Sequence, residues 1–68
     1  MRLSARNVIA GTVVEIVTGT VTSHVRLDIG GAVITSSITN EAVAELGLKV
    51  GEKAYAVVKA SDVMIGKD

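Results

Sequence analysis

The sequence predicts an all-β fold with one short helix, arranged as an OB-like five-stranded barrel. Apolar and polar residues alternate over most of the 68 residues, which is the period of half-buried strands. A segment of helical period, residues 40–46, interrupts this alternation after the third predicted strand. Three strands, a helix and two more strands is the element order of an OB-type barrel. We expect one domain over residues 1–68, because a chain this short is enough for a single small domain.

The first two predicted strands are joined by a short turn. The first strand runs from about Arg2 to Val17, with a bend near Gly11, and its apolar residues lie on both faces. Such a strand is covered on both sides, by its own core and, as one option, by a neighbouring chain. After the turn Thr18–Thr20, residues 21–29 alternate cleanly, which predicts an antiparallel strand. The residues expected to face inward are Val21, Ser23, Val25, Leu27 and Ile29.

Glycines mark the next boundaries, since the chain has no proline. Gly30–Gly31 is a two-residue hairpin signal and leads into a third strand over residues 32–38. The inward residues of this strand are expected to be Ala32, Ile34, Ser36 and Ile38.

The helix over residues 40–46 has recognisable ends. Thr39 or Asn40 can cap its first turn, and Gly47 suits the left-handed position that ends a helix. A fourth strand is predicted at residues 53–60 and a short fifth strand at residues 63–65.

Composition favours a protein that assembles. Almost half of the residues are hydrophobic, yet Tyr55 is the only aromatic residue, and there is no cysteine. Small domains usually need disulfides, metals or oligomerisation, and the sequence leaves oligomerisation. The start of the chain lacks a signal peptide and no stretch is long enough for a transmembrane helix, so we expect a cytoplasmic protein.

Charge and motif content exclude several functions. Seven basic residues balance seven acidic ones, which argues against non-specific nucleic-acid binding and against a polybasic membrane anchor. His24 is the only histidine, and it shares its predicted strand face with the polar residues Thr22, Arg26 and Asp28. We therefore interpret it as an ordinary surface residue and not as the base of a catalytic nucleophile. The acidic residues are spread singly, so we expect no metal-cation site. The chain has no Walker-type phosphate loop and no dinucleotide fingerprint after a strand, and we expect neither a cofactor nor an enzyme.

An anion site is better supported. Ser4 and Arg6 are two residues apart, so on one strand their side chains project from the same face. Arginine offers a planar fork of donors that suits oxyanions. Two further pairs share this spacing, and the first of them leads into the helix: Ser37 with Thr39, and Lys59 with Ser61. Arg6 or Lys59, taken alone, is better explained as an ordinary surface charge, and the spacing shows compatibility with an anion pocket rather than its existence.

The residues Ser4–Asn7 read SARN, and the chain resembles the molbindins, which are Mop domains of the TOBE/Mop family. The remaining matches fall in the expected order: Ser37–Thr39, the short helix, Leu46–Leu48, Val50–Glu52 and Val57–Ser61. The resemblance covers essentially the whole chain. It implies a cytoplasmic OB-like protein that binds molybdate or tungstate in molybdenum storage and homeostasis. It also implies a homo-oligomer, a hexamer built as a trimer of dimers, with oxyanion sites between subunits.

The same resemblance assigns the site residues. Anion contacts are implied for the side chains of Ser4, Arg6, Thr39 and Lys59, and the end of the fourth strand adds Ser61. Backbone N–H groups near Ala42 and Ala60 are implied as further donors, although some relatives have serine where Ala42 stands. A second type of site is placed at the turn Thr18, Gly19 and Thr20.

Two other functions stay open at this point. One is an OB module that binds nucleic acid, but such modules stack bases on aromatic side chains, and Tyr55 alone offers little for that. The other is a purely structural assembly unit without a ligand. The excess of Val and Ile side chains fits this structural function as well as it fits an anion-binding function.

Overall fold

The computed structural model describes Ser4 and residues 6–68. Four antiparallel strands form one sheet in the order β3-β2-β1-β4, and the sheet curls into a half-barrel. The strands are β1 (Asn7–Thr18), β2 (Thr22–Asp28), β3 (Val33–Thr39) and β4 (Lys53–Val58). The helix α1 (Asn40–Leu46) connects β3 to β4, and a 3-10 turn (Ala60–Asp62) follows β4. The predicted fold class, mostly β with one short helix and OB-like, is confirmed.

Strand β1 organises the sheet because it pairs with two different strands. Its first half, Asn7–Thr12, pairs with β4, and residues from Thr12 to Thr18 pair with β2. The register shifts between Val13 and Glu15, which marks a β-bulge. The bulge lets Val13 and Ile16, three residues apart, both turn toward the interior. The bend predicted near Gly11 therefore lies close to a bulge that the sequence pattern did not predict.

The core is small and centres on β1 and β2. Val13, Val25 and Leu27 are the buried hydrophobic residues, and Ser23 is buried beside them. The predicted inward face of β2 is therefore confirmed at its centre, but Val21 is 69% exposed and that part of the prediction was wrong. Of the residues predicted to face inward around β3, Ile34 and Ile38 are half-buried, but Ala32 and Ser36 are exposed and that part of the prediction was wrong.

The helix ends follow the capping chemistry expected from the sequence. The hydroxyl of Thr39 accepts a hydrogen bond from the backbone N–H of Ala42 at 3.1 Å, so Thr39 is the N-cap. Gly47 has φ of +61° and ends the helix in the left-handed conformation. The β2–β3 hairpin is also confirmed, with positive φ at Gly30 and Gly31.

Three predicted element limits were wrong. Strand β1 begins at Asn7, so Ser4 and Arg6 lie in bends before the strand, while residues 1–3 and 5 of the prediction lie outside the described part. Strand β4 ends at Val58, so Lys59 and Ser61 do not share a strand face. Residues 63–68 are described and form no strand, so the fifth strand predicted at residues 63–65 was wrong. Within Ser4 and residues 6–68, no helix has the length and apolar character needed to cross a lipid bilayer.

Candidate functional site

Arg6 and Lys59 leave the sheet at the same place. Asn7 pairs with Val58 in the antiparallel β1–β4 register, and the Asn7 side chain donates a hydrogen bond from Nδ2 to the carbonyl of Val58 at 3.2 Å. Arg6 directly precedes Asn7 and Lys59 directly follows Val58, so antiparallel pairing brings both cations to the same end of this strand pair. We call this place the β1–β4 end; its predicted site residues are Ser4, Arg6, Lys59, Ala60 and Ser61.

The β1–β4 end is exposed and rich in hydrogen-bond donors. All five of its predicted site residues are exposed. Within the described part of the chain the ion pair is Arg26 with Glu15, and neither Arg6 nor Lys59 pairs with a carboxylate. The 3-10 turn engages the N–H groups of Asp62 and Val63, and such a turn leaves its first N–H groups outside its own hydrogen bonds. This edge can therefore offer two cationic side chains, hydroxyls and backbone N–H groups to an anion.

The other predicted site residues lie together at a second edge. Thr39 and Ala42 begin α1, and the backbone N–H of Asn40 donates to the carbonyl of Val21 at 2.9 Å. The side chain of Asn40 also donates from Nδ2 to the carbonyl of Gly19 at 3.0 Å. The structure thus joins the helix start to the β1–β2 turn. We call this edge the α1 end; its predicted site residues are Thr18, Gly19, Thr20, Thr39 and Ala42.

The hydrogen bonding at the α1 end distinguishes two of its candidate donors. The resemblance implies a backbone N–H near Ala42 as a donor to the anion, and in the structure the Ala42 N–H donates to the Thr39 hydroxyl oxygen. That oxygen accepts, so the hydroxyl hydrogen of Thr39 is the group that stays available to donate. Thr39 is therefore the better donor of the two toward a ligand.

A single chain does not bring the two ends together. They lie at opposite ends of β1, whose twelve residues span up to about 36 Å at the usual rise per strand residue. The curl of the sheet shortens this distance, but the register places Asn7 beside Val58 at one end of β1 and Thr18 beside Ser23 at the other. We therefore expect a pocket that uses both Arg6 and Thr39 to take residues from more than one chain.

Two polar residues that were not predicted, Ser23 and Asn7, hold the two ends in place through hydrogen bonds. Ser23 is 1% exposed, and its hydroxyl donates to Asn40 Oδ1 at 2.5 Å, so Asn40 links the core to the Gly19 turn. Asn7 anchors the β1–β4 end in the same way. The signal for Asn7 was present in the SARN motif. The signal for Ser23 was a lone hydroxyl on an otherwise apolar strand face.

His24 lies on the outer face of β2, between Val17 and Ser37 in the paired register. It is exposed and belongs to neither end. No cluster of three or more histidine, cysteine, aspartate or glutamate residues that could hold a metal ion occurs in Ser4 and residues 6–68.

The half-barrel and its two polar ends define a small β-domain of a known class. The TOBE-domain profile matches residues 3–65. The chain belongs to the TOBE-domain family.

Two of the relatives named here match this chain over almost the whole length of both chains, and a third matches it over about half of its own length. The chain is 49% identical over 67 residues to a Haemophilus influenzae protein named probable molybdenum-pterin-binding protein, covering 97% of each chain. The solved structure of a molybdate-binding protein from Sporomusa ovata is 40% identical with a TM-score of 0.94, covering 98% of this chain and 100% of that one. A crystal form of ModG, described as a cytoplasmic molybdate-binding protein and solved with molybdate bound, is 57% identical with a TM-score of 0.89. That match covers 94% of this chain and 46% of ModG.

Proposed function

We propose that this protein binds molybdate or tungstate as a tetrahedral oxyanion and serves molybdenum storage and homeostasis in the cytoplasm. The observation that carries the proposal is the convergence of Arg6 and Lys59 at the β1–β4 end, without a carboxylate partner in the described part of the chain. The choice of ligand is based on the names of the relatives, which are called molybdenum-pterin-binding or molybdate-binding proteins. The protein acts by equilibrium binding, without catalysis, cofactor, nucleic acid or membrane.

The pocket forms between chains of a homo-oligomer, a hexamer arranged as a trimer of dimers. The β1–β4 end of one chain supplies the charged donors Arg6 and Lys59, the Ser4 and Ser61 hydroxyls and the Ala60 N–H. The α1 end of another chain supplies the Thr39 hydroxyl. Charged hydrogen bonds of this kind are shorter and stronger than neutral ones, and they offset the cost of taking a dianion out of water. The separation of the two ends along β1 supports this division between chains.

A second type of site belongs at the α1 end, around Thr18, Gly19 and Thr20. The hydrogen bonds of Asn40 to Gly19 and Val21 hold this turn beside the start of the helix, so the turn and Thr39 lie in the same region. The edge has no cation among its predicted site residues, and we therefore expect it to bind an oxyanion more weakly than the pocket that contains Arg6.

Calorimetric titration with molybdate, tungstate and sulfate tests the proposal. We expect binding of the first two anions by the native protein and its loss, or a large weakening, in Arg6→Ala with the fold intact by circular dichroism. Arg26→Ala is the matched control, because Arg26 already pairs with Glu15 at 3.3 Å on the outer surface. If neither molybdate nor tungstate releases heat or shifts the melting temperature, the protein is a structural assembly unit and the proposal fails.

A further inference from the structure

Asn7 is the polar residue of the Ser4–Asn7 motif to which the resemblance assigns no contact with the anion. In the structure it is half-buried, and its side-chain amide donates from Nδ2 to the carbonyl oxygen of Val58 at 3.2 Å. The two residues are 51 positions apart in sequence, so this hydrogen bond joins the start of β1 to the end of β4. The acceptor directly precedes Lys59, one of the two cations of the β1–β4 end.

The acceptor of this hydrogen bond belongs to the peptide unit that leads into Lys59. The carbonyl of Val58 and the N–H of Lys59 lie in one plane, because the peptide bond has partial double-bond character. A hydrogen bond that fixes the direction of the carbonyl therefore also fixes the orientation of this plane. Asn7 thus determines the direction in which the backbone enters Lys59.

The backbone that follows Lys59 is held as well. The carbonyl oxygen of Lys59 accepts a hydrogen bond from the N–H of Asp62 at 2.9 Å, which closes the 3-10 turn Ala60–Asp62. Lys59 has extended backbone angles, φ −63° and ψ 133°, and its side chain is exposed. Hydrogen bonds on both sides therefore hold the backbone of Lys59, while its ammonium group extends into solvent.

The position of Asn7 in the sheet explains why a side-chain hydrogen bond is useful there. Asn7 and Val58 are the last pair of the β1–β4 register in the described part of the chain. The ends of paired elements open most easily, because they have ordered neighbours on one side only. Arg6 and Lys59 continue the two strands directly, so opening of this pair would let the two cations move apart. The amide of Asn7 adds a hydrogen bond that opposes this opening.

We propose that Asn7 is a positioning residue for the oxyanion: through the carbonyl of Val58, its amide holds Lys59 beside Arg6 in the geometry that the anion needs. The inference rests on the proposed function, because it concerns the same site. Groups held in their binding geometry before the ligand arrives lose less conformational entropy on binding, and this raises the affinity. Asn7 acts through Lys59 and contributes no contact of its own to the anion.

Calorimetric titration with molybdate of the native chain, Asn7→Ala, Lys59→Ala and the double variant tests this action. We expect Asn7→Ala to lower the affinity about three- to tenfold, which is the range of one hydrogen bond. In the Lys59→Ala background the same substitution should change the affinity less than about twofold, because the side chain that Asn7 positions is gone. An equal loss in both backgrounds would overturn the proposal, since a direct contact or a general weakening of the fold acts without Lys59.

Gly11→Ala is the control for stability. The substitution forces a methyl group against Leu27 and Asp28 in the same strand β1 but leaves the hydrogen bond of Asn7 intact. We expect its molybdate affinity to stay within about twofold of the native value, although the fold is destabilised. A loss of affinity in Gly11→Ala as large as that in Asn7→Ala would mean that stability alone governs binding. A native chain that binds neither molybdate nor tungstate would instead refute the proposed function itself.

Nuclear magnetic resonance relaxation measures the positioning without any anion, and therefore also when a variant binds too weakly for calorimetry. The order parameter of the Lys59 backbone amide should be near that of rigid backbone, about 0.85, in the native chain and clearly lower in Asn7→Ala. The amide of Lys49, which lies in the turn before β4, should be unchanged. An order parameter of Lys59 that is the same in both proteins would show that Asn7 does not hold it, and the proposal would fail.

Discussion

Arg6 and Lys59 are 53 positions apart in sequence, and one backbone pairing brings them to the same edge. Asn7 supports that pairing twice, through its place in the register and through its side-chain hydrogen bond to Val58. Both cations lie just outside the paired strands, where their long side chains are exposed and free to turn toward a ligand. The pairing of the two strand ends therefore determines where these cations lie.

Lys59→Ala tests the second cation of this edge. A hydrogen bond to a charged group contributes about 1.5–3 kcal/mol, so we expect molybdate affinity to fall by roughly ten- to a hundredfold. Calorimetric titration measures the change. Lys49→Ala is the control, since Lys49 lies in the turn before β4 and outside both ends. Equal effects of the two substitutions would mean that net charge, and not the position of Lys59, governs binding.

Asn40 is the residue that joins the helix to the core. In Asn40→Ala the buried Ser23 hydroxyl loses its acceptor, and we expect unfolding to become easier by about 1–3 kcal/mol. Urea denaturation measures this loss. Ser23→Ala in the same chain removes the stranded hydroxyl, so the double variant should be less destabilised than the sum of the single variants. Strictly additive losses in the free energy of unfolding would contradict a stabilising hydrogen bond between Ser23 and Asn40.

At the scale of elements, β1 and β2 are held unusually close at Gly11. A Cβ built on Gly11 would meet the Asp28 carbonyl oxygen at 2.6 Å and Leu27 Cγ at 2.8 Å, so no larger residue fits without a shift of the backbone. This close approach lies where β1 changes partners between β4 and β2.

Gly11→Ala therefore has a clear expected cost. Forcing a methyl group into this contact should destabilise the fold by about 1–3 kcal/mol, as overpacking usually does. Thermal unfolding measures the effect. Gly66→Ala is the control, because a Cβ on Gly66 meets nothing within 4 Å and its φ lies outside the left-handed region. A melting temperature for Gly11→Ala equal to that of the control would show that the strands separate without cost.

Local patterns were sufficient for some elements and insufficient for others. Alternation predicted β2, and capping residues predicted α1 between Thr39 and Gly47, because both signals act within a few residues. The bulge in β1 was missed because one extra residue reverses the alternation without any compositional mark. Residues 63–65 have the alternating pattern of a strand, but a strand also needs a neighbouring strand to pair with. The local pattern does not show whether the fold places one beside these residues, and they are not part of the sheet.

The candidate site shows the same division. The polar residue types were predicted from the motif and its spacing, but Ser4 and Arg6 were placed inside the first strand and lie before it. The separation of the site residues into a β1–β4 end and an α1 end was not predicted, because it depends on β1 being long enough to pair with two strands in succession. That length is set by tertiary pairing, which no local pattern reports.

At the scale of the whole molecule, assembly and ligand binding are expected to stabilise each other. A ligand that binds only the assembled, folded form stabilises it by mass action, by about 2.7 kcal/mol at a hundred times the dissociation constant. For a domain of this size the melting temperature should rise by roughly 10 °C or more. Differential scanning calorimetry with molybdate measures this rise, with sulfate at equal ionic strength and Arg6→Ala as controls. An equal rise with sulfate would indicate a general salt effect.

The position of Tyr55 has a practical consequence. The chain has no tryptophan and this single tyrosine, and its ring lines the apolar groove between β3 and β4 with 64% of the residue's surface in solvent. The ultraviolet emission of the native protein therefore comes from one ring at one place. Whatever enters the groove changes the polarity and mobility around that ring, so an unlabelled sample reports occupancy through its intrinsic fluorescence intensity and anisotropy.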